Sequence, residues 1–194
     1  MCGRYYYADK IARRVEEDLG IPLESFFSDK GDITPGMSAT SIICGKANPH
    51  HYAISELFWG IYSRDKKLII NARAESAAQK PMFSDSFRLR RCILPADGFY
   101  EWNKEKTKFT FSRADGRPIY LAGVHDISME RDSFVILTTS ANESMLPVHD
   151  RMPVMIDRKN VMDFLNDYSA AKGMINETMP ELTRKSDYEQ LSLF

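Results

Sequence analysis

The stretch Cys92-Ile93-Leu94-Pro95-Ala96-Asp97-Gly98-Phe99-Tyr100-Glu101-Trp102 contains two strand-forming segments separated by a turn signal. Residues 92–94 and 99–102 are rich in β-branched or aromatic side chains, whereas the residues between them favour a break. Six further segments of the same kind are predicted as strands, at residues 41–44, 51–59, 68–71, 109–112, 119–124 and 134–139. Eight short strands with few helices predict an α+β fold: a mainly antiparallel, curled or barrel-like sheet with peripheral helices.

Two segments show helical periodicity. Residues 8–19 place Ile11, Val15 and Leu19 on one face and end before Gly20, which is typical of a helix with a glycine cap. Residues 158–168 form the second predicted helix, with an apolar face made by Val161, Phe164, Leu165 and Tyr168. Asp115-Gly116 predicts a hairpin between strands 109–112 and 119–124. No linker divides the chain, so we expect one domain over residues 1–185 and a C-terminal tail at 186–194.

Composition excludes several classes of protein. Hydrophobic residues make up 43% of the 194 positions and charged residues 27%, which is ordinary for a globular chain. No apolar run reaches the ~18 residues that a membrane span needs, and no signal peptide is visible. The three cysteines, Cys2, Cys44 and Cys92, lack the spacing of a disulfide framework or a zinc site. We therefore expect a cytoplasmic, monomeric protein without a metal, a cofactor or a membrane partner.

Charge is distributed unevenly along the chain. The net charge is −1, but residues 64–117 contain 13 Lys and Arg against 7 Asp and Glu. A basic middle within an acidic chain can present one positive surface to a polyanion. The alternative is a run of solvated lysines and arginines with no ligand.

Cys2 is the first residue with distinctive chemistry. Removal of Met1, which is efficient before a small residue, leaves a cysteine with an α-amine and a thiol on adjacent carbons. The reference pKa of an α-amine is about 7.7–8.0, against about 10.4 for lysine, so far more of it is neutral near pH 7.5. A neutral amine condenses with an aldehyde to an imine, and the thiol can close on that imine to give a thiazolidine. The alternative is an unprocessed, incidental cysteine.

Three later segments carry further candidate residues. Asn71-Ala72-Arg73-Ala74-Glu75 follows an apolar strand and, while extended, would place Asn71, Arg73 and Glu75 on one face. Glu101 is a carboxylate among large aromatic residues and suits proton transfer. His149 lies in the proline-bounded loop Pro147-Val148-His149-Asp150-Arg151-Met152-Pro153, and histidine titrates near neutrality. Each of these residues also has an ordinary structural explanation when it is taken singly.

Taken together, these motifs and the opening Cys2-Gly3-Arg4 resemble the SRAP family, the SOS-response-associated peptidases, over residues 1 to about 165. The resemblance implies a sensor of abasic sites in single-stranded DNA. Such a protein links its N-terminal cysteine to the ring-opened sugar and shields the strand from breakage. By the same resemblance, Cys2 forms the thiazolidine and Asn71 positions the terminal amine. Glu101 moves protons for ring opening and imine formation, and His149 assists imine chemistry and reversal of the link.

The resemblance also implies residues that contact DNA. Arg4 and Arg73 match phosphate-contacting positions, and the expectation extends to Lys80 and, further, to Arg88, Arg90 and Arg91. Some relatives carry a tryptophan pair before the asparagine motif as a wedge against the bases, but Ser63-Arg64-Asp65-Lys66 stands here. Trp59 would be a weak substitute for this wedge against the bases. The alternative is that Trp59 packs in the core.

The C-terminal tail ends in Gln190-Leu191-Ser192-Leu193-Phe194. This pentapeptide resembles the segment with which bacterial replication and repair proteins bind the sliding clamp. Gln190 would supply polar orientation, and Leu191, Leu193 and Phe194 would enter an apolar pocket. The alternative is a final strand that buries these apolar residues against the sheet. A clamp contact would deliver the protein to the nucleoid at stalled replication forks.

Two other functions remain open. The first is a thiol peptidase, limited to removal of Met1, with Cys2 as nucleophile, His149 as base and Asn71 or Glu101 orienting it. The second is an adaptor that binds single-stranded DNA without a covalent step and recruits partners through its tail.

Overall fold

Short strands dominate the part of the chain that the computed structural model describes, which is residues 2–8, 11–22, 31–45, 51–127 and 131–186. The strands of these ranges are β1 (Tyr5–Tyr7), β2 (Gly31–Ile33), β3 (Ser38–Cys44), β4 (Tyr52–Trp59), β5 (Ile61–Tyr62), β6 (Leu68–Ile69), β7 (Asn71–Arg73), β8 (Arg91–Ala96), β9 (Gly98–Trp102), β10 (Lys108–Ser112), β11 (Ile119–Asp126), β12 (Ser133–Ser140), β13 (Arg151–Pro153) and β14 (Thr183–Ser186). The helices are α1 (Ile11–Leu19), α2 (Ala74–Ala77), α3 (Ser84–Leu89), α4 (Val161–Asn166) and α5 (Tyr168–Met174). The fold is α+β, as the sequence predicts.

The larger sheet closes on itself. Its strands follow the order β11-β8-β3-β4-β12, and β11 pairs with both β8 and β12. The contact between β4 and β12 is parallel and the other ladders of this ring are antiparallel. β7 and β13 extend β12 beyond the ring. The predicted barrel-like sheet is therefore confirmed, and its closure removes free strand edges that would otherwise need protection.

The second sheet has the order β14-β10-β9-β1-β2 and begins where the barrel strand β8 runs on into β9. Asp97 separates these two strands and fixes the bend. Its backbone N–H donates to the carbonyl oxygen of Tyr6, and its carboxylate accepts from the N–H of Ala8 at 2.7 Å and from Arg14 at 2.8 Å. Gly98 is required next, because a Cβ there would lie 2.4 Å from the carbonyl oxygen of Phe111. The bend thus joins the N-terminal strand to the segment that carries Glu101.

Side-chain alternation along β9 gives the second sheet two different faces. Phe99 and Glu101 are buried, whereas Tyr100 and Trp102 are partly exposed. The inner face packs on the core, where Phe99 stacks on Phe111 at 5.2 Å. This period of two directs Glu101 inward.

Two predicted elements are corrected by the structure. Asp115-Gly116 forms a turn, in which Gly116 donates to the carbonyl oxygen of Arg113, but the flanking strands β10 and β11 lie in different sheets. The hairpin prediction is wrong because each strand finds better partners elsewhere. The second predicted helix is divided: a 3₁₀ turn at Arg158–Asn160 leads into α4, and Asp167 begins α5 by accepting from Ser169 and Ala170.

The chain's final segment is described only as far as Ser186, which ends β14 and pairs with Phe109 on β10. The tail residues Gln190, Leu191, Leu193 and Phe194 lie outside the described residues. Among the described residues, no helix is both long and apolar enough to cross a membrane.

Candidate active site and nucleic-acid interface

Cys2 lies three residues before the first residue of β1, the strand that pairs with β9. The backbone N–H of Tyr100 donates to the carbonyl oxygen of Arg4 at 2.9 Å, so the pairing of β1 with β9 continues toward the chain start. Cys2 is fully buried. Antiparallel register therefore carries Cys2 along β9 toward Glu101.

Glu101 is the charged group that acts on Cys2 most directly. It is 4% exposed, and its Oε2 accepts from the backbone N–H of Trp102 at 3.3 Å. Burial, and then the negative charge of Glu101, raise the pKa of the Cys2 thiol to about 12. The thiol is thus neutral at physiological pH and lies within electrostatic reach of a buried carboxylate.

Asn71 contacts Cys2 directly. Its side-chain Nδ2 donates to the carbonyl oxygen of Cys2 at 3.0 Å. Its Oδ1 is buried and accepts no hydrogen bond from any described residue. The parallel pairing of β7 with β12, in which Asn71 lies opposite Ile136, holds the amide in place. Asn71 therefore binds the second residue with one end of its amide and leaves a buried acceptor at the other.

His149 lies in the loop that leads from β12 to β13. Its Nδ1 accepts from the backbone N–H of Arg151 at 3.0 Å. The carboxylate of Asp150 lies 2.9 Å from the same Nδ1. The two residues that follow His149 thus orient the imidazole.

Arg151 links the His149 loop to the strand that carries Asn71. Its guanidinium donates to both carboxylate oxygens of Glu75, at 2.6 and 2.9 Å, and to the carbonyl oxygen of Thr138. These hydrogen bonds lower the pKa of Glu75. Because Glu75 lies in α2, directly after β7, the bidentate pair fixes the position of the loop relative to Asn71.

The predicted face of Asn71, Arg73 and Glu75 is only partly correct. β7 ends at Arg73 and α2 begins at Ala74, so Glu75 leaves the strand alternation. Sequence reasoning also missed the role of Arg151, although it lies within the histidine motif. The sequence offers an arginine and a glutamate in two separate motifs, Arg151 and Glu75, but their pairing is visible only in the tertiary structure.

The structure joins three of the four predicted site residues: Cys2 and Asn71 share a hydrogen bond, and Glu101 acts on Cys2 through its charge. His149 lies in a loop that Arg151 ties to Glu75, in the helix that directly follows β7. Among the described residues, no group of three or more potential metal ligands is found.

The candidate phosphate-binding residues differ in exposure. Arg4 is half-exposed, 3.3 Å from Asp32 and 5.3 Å from the centre of the Trp102 ring. Arg73 and Lys80 are exposed, and Arg73 shares a face of β7 with Asn71. Arg88 is also exposed, whereas Arg90 donates to the carbonyl oxygen of His125 and to Ser86.

Two of the expected DNA contacts are wrong. Trp59 is fully buried between Tyr5 and Phe134, and its Nε1 donates to the carbonyl oxygen of Ile70 at 2.9 Å, so it has no surface to offer a base. Arg91 is 3% exposed. Its guanidinium donates to the carbonyl oxygens that end two helices, those of Phe87, Arg88, Phe164 and Leu165. It stabilises α3 and α4 and cannot reach a phosphate.

The chain is similar in sequence to one family of proteins, and two of its relatives carry the same descriptive name. The model of a family described as SOS response associated peptidase (SRAP) matches residues 1–192. The abasic site processing protein YedK of Escherichia coli is 30% identical over 188 residues, covering 89% of this chain and 82% of that protein. The abasic site processing protein YoqW of Bacillus subtilis is 31% identical over 196 residues, covering 86% and 80%.

Comparison of structures gives the same fold. A phage-related protein from Bordetella bronchiseptica superposes with a TM-score of 0.78 at 22% identity, over 95% of this chain and 93% of that one. A protein from Bacteroides thetaiotaomicron gives 0.75 at 18% identity, over 95% and 91%. At these identities the likeness shows the fold alone.

Proposed function

The chain belongs to the SOS response associated peptidase (SRAP) family, and from that premise we propose that it processes abasic sites in single-stranded DNA through a covalent link to Cys2. The names of its relatives, abasic site processing proteins, support the substrate. The main structural support for this chemistry is the position of Cys2. Its carbonyl oxygen accepts a hydrogen bond from Asn71, and the negative charge of the buried Glu101 acts on its thiol.

The reaction begins with the removal of Met1, by an aminopeptidase or by the protein itself. The α-amine that this removal releases attacks the aldehyde of the ring-opened sugar, and loss of water gives an imine. The Cys2 thiol then adds across the carbon–nitrogen double bond: sulfur bonds to the former aldehyde carbon and the thiol proton passes to nitrogen. The product is a thiazolidine, and no oxidant or reductant is consumed.

Asn71 is suited to hold the attacking amine. Its Nδ2 already holds the Cys2 carbonyl, and the buried Oδ1 is an acceptor for an N–H donor on the same residue. Once Met1 is removed, the α-amine of Cys2 supplies that donor. Holding amine and aldehyde in place accounts for a large part of the rate of such reactions.

Glu101 and His149 are the groups that move protons. An abasic sugar is mostly a closed hemiacetal, so a buried carboxylate beside the attacking residue can take and return the proton that ring opening requires. We assign His149 to the sugar because the backbone N–H of Arg151 donates to its Nδ1 and so orients the imidazole. In this role the imidazole assists imine formation and reversal of the link.

The thiol's ionisation distinguishes this chemistry from that of a thiol peptidase. Peptidase cysteines react as thiolates, and their pKa is lowered by a cationic neighbour. Here burial and Glu101 raise the pKa of Cys2 to about 12. A neutral thiol can close on an imine after the amine has reacted, whereas it is a poor first nucleophile. The raised pKa therefore favours the crosslinking function.

DNA is held by basic side chains around the site. We assign Arg4, Arg73 and Lys80 to the phosphates beside the lesion, since Arg4 is partly exposed, Arg73 and Lys80 are exposed, and Arg73 shares a face of β7 with Asn71. Each phosphate contact adds about 0.7 to the slope of log affinity against log salt on a single strand. Arg73→Gln and Lys80→Gln should each lower that slope, and an unchanged slope would contradict the assignment.

The tail beyond Ser186 gives the protein a second partner in this proposal. In this proposal the bacterial sliding clamp binds the side chains of Gln190, Leu191, Leu193 and Phe194. Clamp binding would bring the protein to replicating DNA, where abasic sites become single-stranded. Pull-down with purified clamp should retain the full chain and lose a chain that ends at Glu189. Equal retention of both would contradict the clamp proposal and leave the crosslinking proposal intact.

The test of the main proposal is incubation with a uracil-containing single strand, with and without removal of the uracil, followed by denaturing electrophoresis. A shifted band should appear only after base removal. Cys2→Ala should abolish the shifted band. Cys44→Ala, which removes the thiol of a partly exposed cysteine, should retain the band. Salt-reversible binding with no denaturant-resistant band would instead identify a non-covalent adaptor.

A further inference from the structure

The loop that carries His149 is held in shape by its own backbone. This His149 loop comprises residues 141–150, between β12 and β13. The carbonyl oxygen of Asn142 accepts from the N–H of Met145 at 3.2 Å and from that of Leu146 at 2.9 Å. The carbonyl oxygen of Met145 accepts in turn from the N–H of His149 at 3.1 Å. Hydrogen bonds thus connect the backbone of His149 to that of Met145, and the backbone of Met145 to that of Asn142.

The side chain of Asn142 connects this loop to a distant part of the chain. Its Nδ2 donates to the carbonyl oxygens of Met179 and Pro180, each at 3.0 Å. Its Oδ1 accepts from the hydroxyl of Ser144 at 2.7 Å, and the Ser144 oxygen accepts from the backbone N–H of Leu182 at 3.2 Å. Both ends of the amide therefore have partners, and these hydrogen bonds join the loop to the segment from Met179 to Leu182.

The segment that Asn142 holds leads directly into the sheet that contains Glu101. Residues 179–182 precede β14, which pairs with β10, and β10 pairs with β9, the strand of Glu101. At the other end of the loop, the ion pair of Arg151 leads to the helix that follows β7, the strand of Asn71. The loop is therefore fixed both to the side of Asn71 and to the sheet of Glu101.

The loop needs such hydrogen bonds because it contains no helix or strand of its own. Met145 and Val148 are buried, but Leu146 is 59% exposed. Few apolar side chains thus hold the loop to the core, and segments of this kind open easily. A reacting group on a loop has to be held within about 0.5 Å of its working position, which requires support from neighbouring hydrogen bonds.

We propose that Asn142 is a positioning residue of the covalent reaction, which sets the place of His149 relative to Glu101, and that Ser144 supports it. The inference rests on the proposed function, in which His149 and Glu101 move protons for the same sugar. A group that transfers a proton has to lie within hydrogen-bond reach of the atom that it serves. Asn142 touches no reacting atom in this role and acts on His149 through Met145.

Single-turnover crosslinking to abasic single-stranded DNA measures this role, at a temperature well below the unfolding midpoint of each variant. Asn142→Ala should lower the rate at saturating DNA by about 10- to 100-fold and leave the half-saturating DNA concentration unchanged. Ser144→Ala should lower the rate by less, and Ser144→Thr, which keeps the hydroxyl, should react like the wild type. Asn176→Ala also loses a side-chain hydrogen bond to a backbone carbonyl oxygen, so it is the matched control and should react normally.

A double-mutant cycle shows whether Asn142 acts through His149. If it does, Asn142→Ala should cause no further slowing in a protein that already carries His149→Ala, because the group that it positions is gone. An equal slowing in both backgrounds would overturn the proposal, since Asn142 would then support the fold in general rather than His149.

Hydrogen exchange of the DNA-free protein tests the same coupling without the reaction. Peptides that cover residues 141–150 should exchange faster in Asn142→Ala and Ser144→Ala than in the wild type, and at the wild-type rate in Asn176→Ala. Normal crosslinking by the wild type, together with unchanged exchange in the Asn142 variant, would overturn the role of Asn142 alone. Absence of the crosslink in the wild type would instead contradict the proposed function.

Discussion

The side-chain amide of Asn71 donates to the carbonyl oxygen of Cys2 across 3.0 Å, joining residues that are 69 positions apart in the chain. The contact fixes the start of the chain against β7, which is itself held by β12. An N-terminal segment is ordinarily loose, because few contacts hold it. Here the segment that supplies the proposed nucleophiles is buried and oriented before any substrate arrives.

Replacement of Asn71 by Ala should slow crosslink formation far more than it destabilises the fold. Loss of one hydrogen bond costs about 1 kcal/mol of unfolding free energy. Misplacement of the reacting amine by about 1 Å costs about 100-fold in rate. Single-turnover crosslinking and thermal unfolding measure the two effects. Asn176→Ala, at an exposed position two residues after the end of α5, is the control, and equal rates for the two variants would contradict the role of Asn71.

Glu75→Gln should loosen the loop that carries His149. The variant loses the bidentate ion pair with Arg151, so the crosslinking rate should fall several-fold while the stability changes by no more than about 1 kcal/mol, because Glu75 is half-exposed. The pKa of Glu75 is lowered by Arg151, so this stability is present above pH 4.5 and is lost as the pH falls through the lowered pKa. Thermal unfolding at pH 7 and in acid checks it. Glu17→Gln, in an exposed pair with Arg13, should change neither quantity.

Substitution of Arg91 distinguishes a structural role of this residue from a DNA-binding role. Arg91→Ala should destabilise the protein by about 2–4 kcal/mol, because buried carbonyl oxygens at the ends of α3 and α4 lose their donors. Denaturant unfolding measures the loss, and the folded fraction should bind DNA normally. Arg88→Ala, an exposed neighbour, should leave stability unchanged. A DNA-binding defect without loss of stability in Arg91→Ala would show that the residue faces DNA.

The pH dependence of alkylation reports on the Cys2 thiol. Because burial and Glu101 raise its pKa to about 12, the native thiol remains neutral up to strongly alkaline pH. Iodoacetamide, which reacts with thiolates, should therefore label the partly exposed Cys44 first at pH 8 and reach Cys2 only as the pH rises toward 12. Peptide mapping after timed labelling measures both sites. Rapid labelling of Cys2 at pH 7 would favour the thiol peptidase.

Local patterns predicted part of the fold, and long-range pairing decided the rest. The eight predicted strand segments lie where the β-branched and aromatic residues lie, whereas the short strands β1, β2, β5, β13 and β14 and the short helices α2 and α3 were not predicted. The barrel closes through the parallel contact of β12 with β4, which joins segments far apart in the chain. The turn at Asp115-Gly116 has the expected residues, yet the strands on either side of it lie in different sheets.

Site residues could be predicted from the sequence where their chemistry is specific. They could not be predicted where the role of a residue depends on whether the fold buries it. An N-terminal cysteine has a chemistry that few other residues share. The presence of a tryptophan or an arginine, in contrast, does not tell whether the side chain lies in the core or on the surface. Trp59 and Arg91 are buried because neighbouring strands and helix ends surround them, which local sequence does not reveal. The stack of Tyr6 on Tyr100 joins strands 94 residues apart, and only the register of β1 and β9 brings the rings together.

The central claim is that the amine and the thiol of Cys2 together trap the sugar, and the identity of the modified peptide tests it most directly. Crosslinked protein is digested with nuclease and trypsin, and the N-terminal peptide is analysed by mass spectrometry. The account predicts Cys2-Gly3-Arg4 without Met1, carrying a deoxyribose remnant joined with loss of one water and resistant to borohydride reduction. A remnant on a lysine, or on a peptide that retains Met1, would contradict it.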